Sequence, residues 1–286
     1  MSRFHNKSNI FVTEIHLKVE DIDRSLSFYQ DIMGFKILRN EEKLAVLSAD
    51  GITPLITIEQ PVDVIAKIPR RTGLYHFAIL LPTRASLGLF IKNIIKTRYP
   101  ITGGSNHGVS EAVYLQDPDD NGIEVYVDSD LDTWRWHNER LEMVNKPMDY
   151  EGIVAEAGDL EWEGIPRETI MGHIHLHVAD LNKSMIFYID GLGFDLIQEM
   201  QNTAVFTSSG GYHHHIAFNI WNGKGAKALP DNSVGMKYYS LIFPDEKSRA
   251  KGIERLDELG FPVMHKENNI FVRDPSDNLI ELQVNC

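Results

Sequence analysis

Polar and aliphatic positions alternate strictly in one stretch, Gly172-His173-Ile174-His175-Leu176-His177-Val178-Ala179-Asp180. Successive side chains of a strand point to opposite faces. Ile174, Leu176 and Val178 therefore face a core, and His173, His175 and His177 share the other face. The same period runs through Glu14-Ile15-His16-Leu17-Lys18-Val19-Glu20-Asp21. After each Asp comes a helix-spaced segment with Ser-x-x-Phe-Tyr, ending at Tyr29 or Tyr188, and then a Gly-Phe turn at Gly34-Phe35 or Gly193-Phe194. Further strands are predicted at 44–49 and 203–208, before turns at Gly51 and Gly210-Gly211.

A second pair of repeats opens at Gly73-Leu74-Tyr75-His76-Phe77 and at Gly235-Met236-Lys237-Tyr238-Tyr239. Apolar positions at helical spacing predict helices near 85–97 and 247–259. Both repeats close on an Asp-Pro-x-x-Asn turn, from Asp117 or Asp274, with Glu124 or Glu281 six residues after the Pro. The chain thus reads as an α+β protein of four strand–helix–strand–strand–strand modules. Such a unit covers one sheet face with its helix and must close the other on a neighbour. Four units predict two cup-shaped mixed sheets with helices outside. The N-terminal half spans 10–128, with modules near 10–60 and 73–128. The C-terminal half spans 170–286, with modules near 170–222 and 235–286. The connection 129–169 is too long for a simple link and carries Trp134, Trp136 and Trp162, so it is expected to pack on the halves.

Composition narrows the function. Of 286 residues 43% are hydrophobic, enough for a large core. A net charge of −13 with no Lys/Arg run argues against nucleic acid or anionic membranes as partners. No apolar run is long enough to cross a bilayer, and Met1-Ser2-Arg3-Phe4-His5 opens no signal segment. The single cysteine, Cys286, is the last residue, so no internal disulfide forms and a cytoplasmic setting is expected.

These repeats, with Ser-x-x-Phe-Tyr…Gly-Phe and Asp-Pro-x-x-Asn-x-x-Glu, resemble the vicinal oxygen chelate superfamily of glyoxalases, bleomycin-resistance proteins and extradiol dioxygenases. The four modules and the run Tyr212-His213-His214-His215 are most similar to the Gram-positive type of catechol 2,3-dioxygenase. The resemblance implies a metal held by two His and one carboxylate on one face. The ligand places of modules two and three hold His76, Glu124 and His173, a complete set. Those of modules one and four hold Glu14, Tyr238 and Glu281, a degenerate one. The resemblance further implies His214 as a base, with His213 and His215 not excluded by strand phase, and Tyr114 and His107 as substrate-side partners.

Plainer readings exist for each residue. A lone strand histidine such as His76 is commonly a hydrogen-bonded core residue, Glu124 would ordinarily be solvated, and an internal His-His-His run could be a wet edge. The expectation from the resemblance is one site built from modules two and three. It would hold Fe(II), with Mn(II) or another divalent ion as substitutes, and act on a small aromatic diol with O2. Self-association is left open. Two rivals are a glyoxalase-type isomerase or transferase, which a fourth protein carboxylate on the metal would favour, and a non-enzymatic drug-binding cup.

Overall fold

A computed structural model of the protein describes residues 3–285. Cys286, on which the disulfide reading rests, lies outside the described residues.

Two eight-stranded mixed sheets carry the fold. In the first, Phe11–Lys18 and Gly235–Phe243 form a central antiparallel pair. In the second, the central pair is Gly73–Leu80 with Ile170–His177. The first quarter therefore shares a sheet with the fourth, and the second with the third. On either side of the second pair lie Gly122–Asp128, parallel to Gly73–Leu80, and Ile216–Asn219, parallel to Ile170–His177. The aliphatic faces of the central strands supply one continuous core, including Ile15, Leu17, Phe77, Ile174, Leu176 and Tyr239, all fully buried.

The repeated motifs are structural ties between modules. Asp21 and Asp180 cap the helices Ile22–Ser27 and Leu181–Met185, accepting from the backbone N–H of Arg24 and Lys183. Each helix then widens into a π-turn, Phe28–Ile32 or Ile186–Gly191. The motif tyrosines reach into the next module. Tyr29 donates to Asp117 at 2.9 Å and Tyr188 to Asp274 at 3.0 Å. Those two aspartates also accept from Asn121 and Asn278, so each Asp-Pro-x-x-Asn turn is locked before it enters the Glu-bearing strand.

The helices Arg84–Thr97 and Glu246–Glu258 match the predicted spans to within a residue. The connection 129–169 packs as expected. Its helix, Tyr150–Glu156, lies on Arg84–Thr97, where a Cβ on Gly88 would come within 2.3 Å of the Ile153 carbonyl oxygen. Trp134 is buried with Phe4, Leu141 and Tyr212, and Trp162 packs edge-on to Phe90. Trp136 is exposed.

Candidate metal centre

Register explains how distant residues converge. Across the second sheet, His173 lies opposite Ala78 and Ala78 opposite Glu124. Strands are about 4.8 Å apart, so His173 and Glu124 sit two strand spacings from each other on one face. The small, fully buried Ala78 between them leaves room for both side chains to lean inward. Their Nε2 and Oε2 atoms meet at 3.3 Å. His76, two residues before Ala78 and on the same face, brings its Nε2 to 3.0 Å from the same oxygen. Single ligand atoms of His76, Glu124 and His173 all lie within 4.8 Å of one another.

The donor set fits a divalent cation. His76 Nε2 lies close to Glu124 but has no hydrogen bond, and His173 Nδ1 is also buried without a partner. A buried polar atom without a partner is costly, and a cation would satisfy the first. Burial pushes His173 down to about 4, so its imidazole is neutral at neutral pH. Burial alone would raise Glu124, but the facing His173 and His76 rings outweigh it and hold the carboxyl well below its ordinary range. Neutral imidazoles and a carboxylate are the forms that bind metal. No second carboxylate joins the group as a fourth ligand among the described residues.

His175 lies opposite His76 in register yet stays outside the group. Asn219 explains why. Its Nδ2 donates to His175 Nε2 at 2.9 Å, and its Oδ1 accepts from His177 Nδ1 at 2.8 Å. Of the three aligned imidazoles, only His173 keeps its nitrogens free of such a tie.

The triple-histidine run does not lie on a strand. It forms the turn leading into Ile216–Asn219, which corrects the expectation that it occupies that strand. Alternation does not apply there, so the three rings go to three places. His215 Nδ1 accepts from the Ser209 N–H at 3.1 Å. His213 Nε2 lies 3.1 Å from Asp128 Oδ1. His214 alone of the three lines the main cavity, with its ring 3.9 Å from that of His173. The hydrogen bonds set the tautomers. With the Asp128 carboxylate accepting, a neutral His213 ring donates through Nε2 and accepts at Nδ1. His214 Nδ1, 2.7 Å away, must then be the donor, which leaves His214 Nε2 without a proton.

Asp128 also accepts from Tyr212 at 2.9 Å, and Tyr126 donates to Tyr212 at 2.7 Å. Glu124, Tyr126 and Asp128 are alternate residues of one strand and so share its face. That spacing is readable in the sequence, but nothing there marks Asp128 as the partner of the histidine run. Gly172 permits this packing: a Cβ there would lie 2.0 Å from the Tyr126 hydroxyl oxygen.

On the other side, His107 Nδ1 donates to the Val144 carbonyl at 3.1 Å, and its Nε2 accepts from the Tyr114 hydroxyl at 2.7 Å. Val144 belongs to the connection 129–169, as do Met143 and Asn145, which also line the cavity. The cavity holds about 1080 Å3, with His76, Glu124, Tyr114, His107 and His214 on its wall.

The other cup is filled from within. Glu14 pairs with His16 at 3.0 Å and accepts from Thr57, and Glu281 accepts from Ser240 and Gln283 at 2.7 Å. Tyr238 stacks on His16.

Comparison with known proteins agrees with this architecture. The Glyoxalase/Bleomycin resistance protein/Dioxygenase superfamily model matches residues 12–125 and 170–282. The chain belongs to that superfamily. It is 40% identical over 279 residues to a catechol-2,3-dioxygenase of Bacillus subtilis, covering 96% of each chain. Among solved structures, a putative dioxygenase from Bacillus subtilis aligns with a TM-score of 0.65 at 13% identity, over 98% of this chain and 86% of that one. Glyoxalase I from Zea mays aligns at 0.58 and 17% identity, over 96% and 92%. These two show the shared fold.

Proposed function

We propose that this superfamily member is a metal-dependent extradiol ring-cleaving dioxygenase that acts on catechol-like aromatic diols with O2. The observation that carries the reading is the convergence of His76, Glu124 and the fully buried His173, with His76 and Glu124 on the wall of a large cavity that His214 also lines. The 40% identity to a catechol-2,3-dioxygenase across almost the whole chain supports the same chemistry.

His76, His173 and Glu124 would hold the cation. When bound, a divalent ion such as Fe(II) supplies a meeting point for diol and oxygen and makes the diol more acidic. With only these three protein ligands, a bound ion would keep room for both reactants. His214 Nε2 takes a proton from the diol, and the Asp128–His213 pair steadies the ring in the accepting tautomer. Tyr114 places its hydroxyl against a substrate oxygen. Because His107 Nε2 engages that hydroxyl, a proton moving between His107 and substrate passes through Tyr114. Phe206, Met143 and Trp221 wall the cavity with apolar surface and exclude water from the ring. The product is an open-chain muconic semialdehyde.

The test is anaerobic loading with Fe(II), addition of a panel of catechols and hydroquinones, and admission of air. The yellow ring-opened product is expected. A metal-loaded enzyme that consumes no oxygen with any diol would remove the reading.

A further inference from the structure

We infer that the diol carries a carboxylate, and that Arg70 and Arg71 recognise it. The inference rests on the ring-cleavage reading and adds to it the class of substrate.

The cavity, at about 1080 Å3, stands at the upper end of the usual range for small-molecule pockets, so it has room for more than a bare diol. Its wall carries Lys67, Arg70 and Arg71, three cations within five positions. Acidic residues outnumber basic ones by 41 to 28 in this chain, so a cationic wall runs against the average. Among the described residues the carboxylates on the same wall are Asp120 and the ligand Glu124.

Several other arginines have acidic partners, among them Arg24 with Asp119, Arg84 with Glu111, and Arg249 with Glu246. Neither Arg70 nor Arg71 forms an ion pair among the described residues. Lys67 is different, since its amine donates to the Asp120 carbonyl at 2.5 Å. The two guanidiniums are thus the uncommitted charges. A guanidinium presents a rigid fork of donors that matches a carboxylate with two parallel hydrogen bonds.

The segment is also held in place. The Arg71 carbonyl accepts from Asn222 Nδ2 at 2.9 Å, and the Thr72 N–H donates to the Lys227 carbonyl at 3.0 Å. The Thr72 hydroxyl donates to the Ser276 carbonyl at 2.8 Å. Arg70 itself has a φ of 57°, in the left-handed region that glycine or asparagine occupies more cheaply. Among the described residues the Arg70 side chain has no hydrogen-bond or ion-pair partner that would offset this. A ligand anion would.

The experiment compares equilibrium binding and turnover of neutral diols (catechol, 4-methylcatechol) with carboxylated ones in which the acid is attached directly or through one or two methylenes. Binding is measured by calorimetry without oxygen, on the metal-loaded and the metal-free protein. At 50 mM salt at least one carboxylated diol is expected to bind about tenfold or more tighter than 4-methylcatechol. The ratio should shrink as salt is raised and approach one in the R70Q/R71Q double variant. Salt dependence of the native protein keeps the test alive if the variant does not fold. Neutral diols binding as well as every carboxylated diol would overturn the inference and leave ring cleavage standing. If no diol is cleaved, ring cleavage fails, and the binding ratio still decides whether this wall selects anions.

Discussion

His213 offers the most telling perturbation, because it touches the proposed base yet is neither one of the three proposed ligands nor part of the cavity wall. In the native protein its Nδ1 accepts from His214 Nδ1–H at 2.7 Å. In His213→Phe that donor, on a largely buried ring, loses its partner. The penalty for an unmet buried donor is about 1–3 kcal/mol, which corresponds to a rate loss of roughly 5- to 150-fold if it falls on the reacting tautomer. Complete loss of a general base costs roughly 10²–10⁴-fold, so His214→Ala sets the ceiling. His213→Asn returns an amide oxygen near the Nδ1 position and should recover part of the loss. The assay is steady-state ring cleavage at saturating oxygen, with kcat and KM separated and bound metal measured in every variant. The loss should fall in kcat at unchanged metal content. Full kcat in His213→Phe with wild-type metal content would refute the relay, as would a phenylalanine variant no worse than the asparagine one.

Three further outcomes follow from the same geometry. Ala78→Leu should fold yet lose metal binding, because the new side chain fills the gap across which His173 and Glu124 meet; calorimetry with Mn(II) or Fe(II) reads this directly. Saturating divalent metal at about 100 times Kd should stabilise the native protein by about 2.7 kcal/mol, raising Tm by roughly 5–10 °C. His76→Ala and Glu124→Gln should remove that shift. The metal-free protein should lose stability as pH falls through the window from about 6.5 to 4. Burial holds His173 and His5 at about 4, and His175, His214 and His215 well below the ordinary value, so the unfolded chain takes up protons first. His173 alone accounts for about 3 kcal/mol over that span. Denaturant titrations at pH 8, 6.5 and 5 check this, and equal stability at pH 8 and 5 would contradict the burial of neutral imidazoles.

Much of the protein is legible in one dimension. Period-two alternation is a local property of strands, so the shared face of His173, His175 and His177 and the core face of Ile174, Leu176 and Val178 could be read without coordinates. The fourfold repeat, the capping aspartates and the locked Asp-Pro-x-x-Asn turns are local too. Other features depend on which segments become neighbours, and sequence order does not encode that. Register places Ala78 between His173 and Glu124, and this small side chain decides that they can meet. Asn219 ties up His175 and leaves His173 untied. A turn outside the strand period splits His213, His214 and His215 among Asp128, the cavity and Ser209. The connection 129–169, unreadable as a string, supplies Val144 and part of the cavity wall. Side-chain alternation follows from the geometry of a single strand. Convergence of ligands follows from pairing and curvature of strands far apart in the chain, and only the folded sheet supplies those.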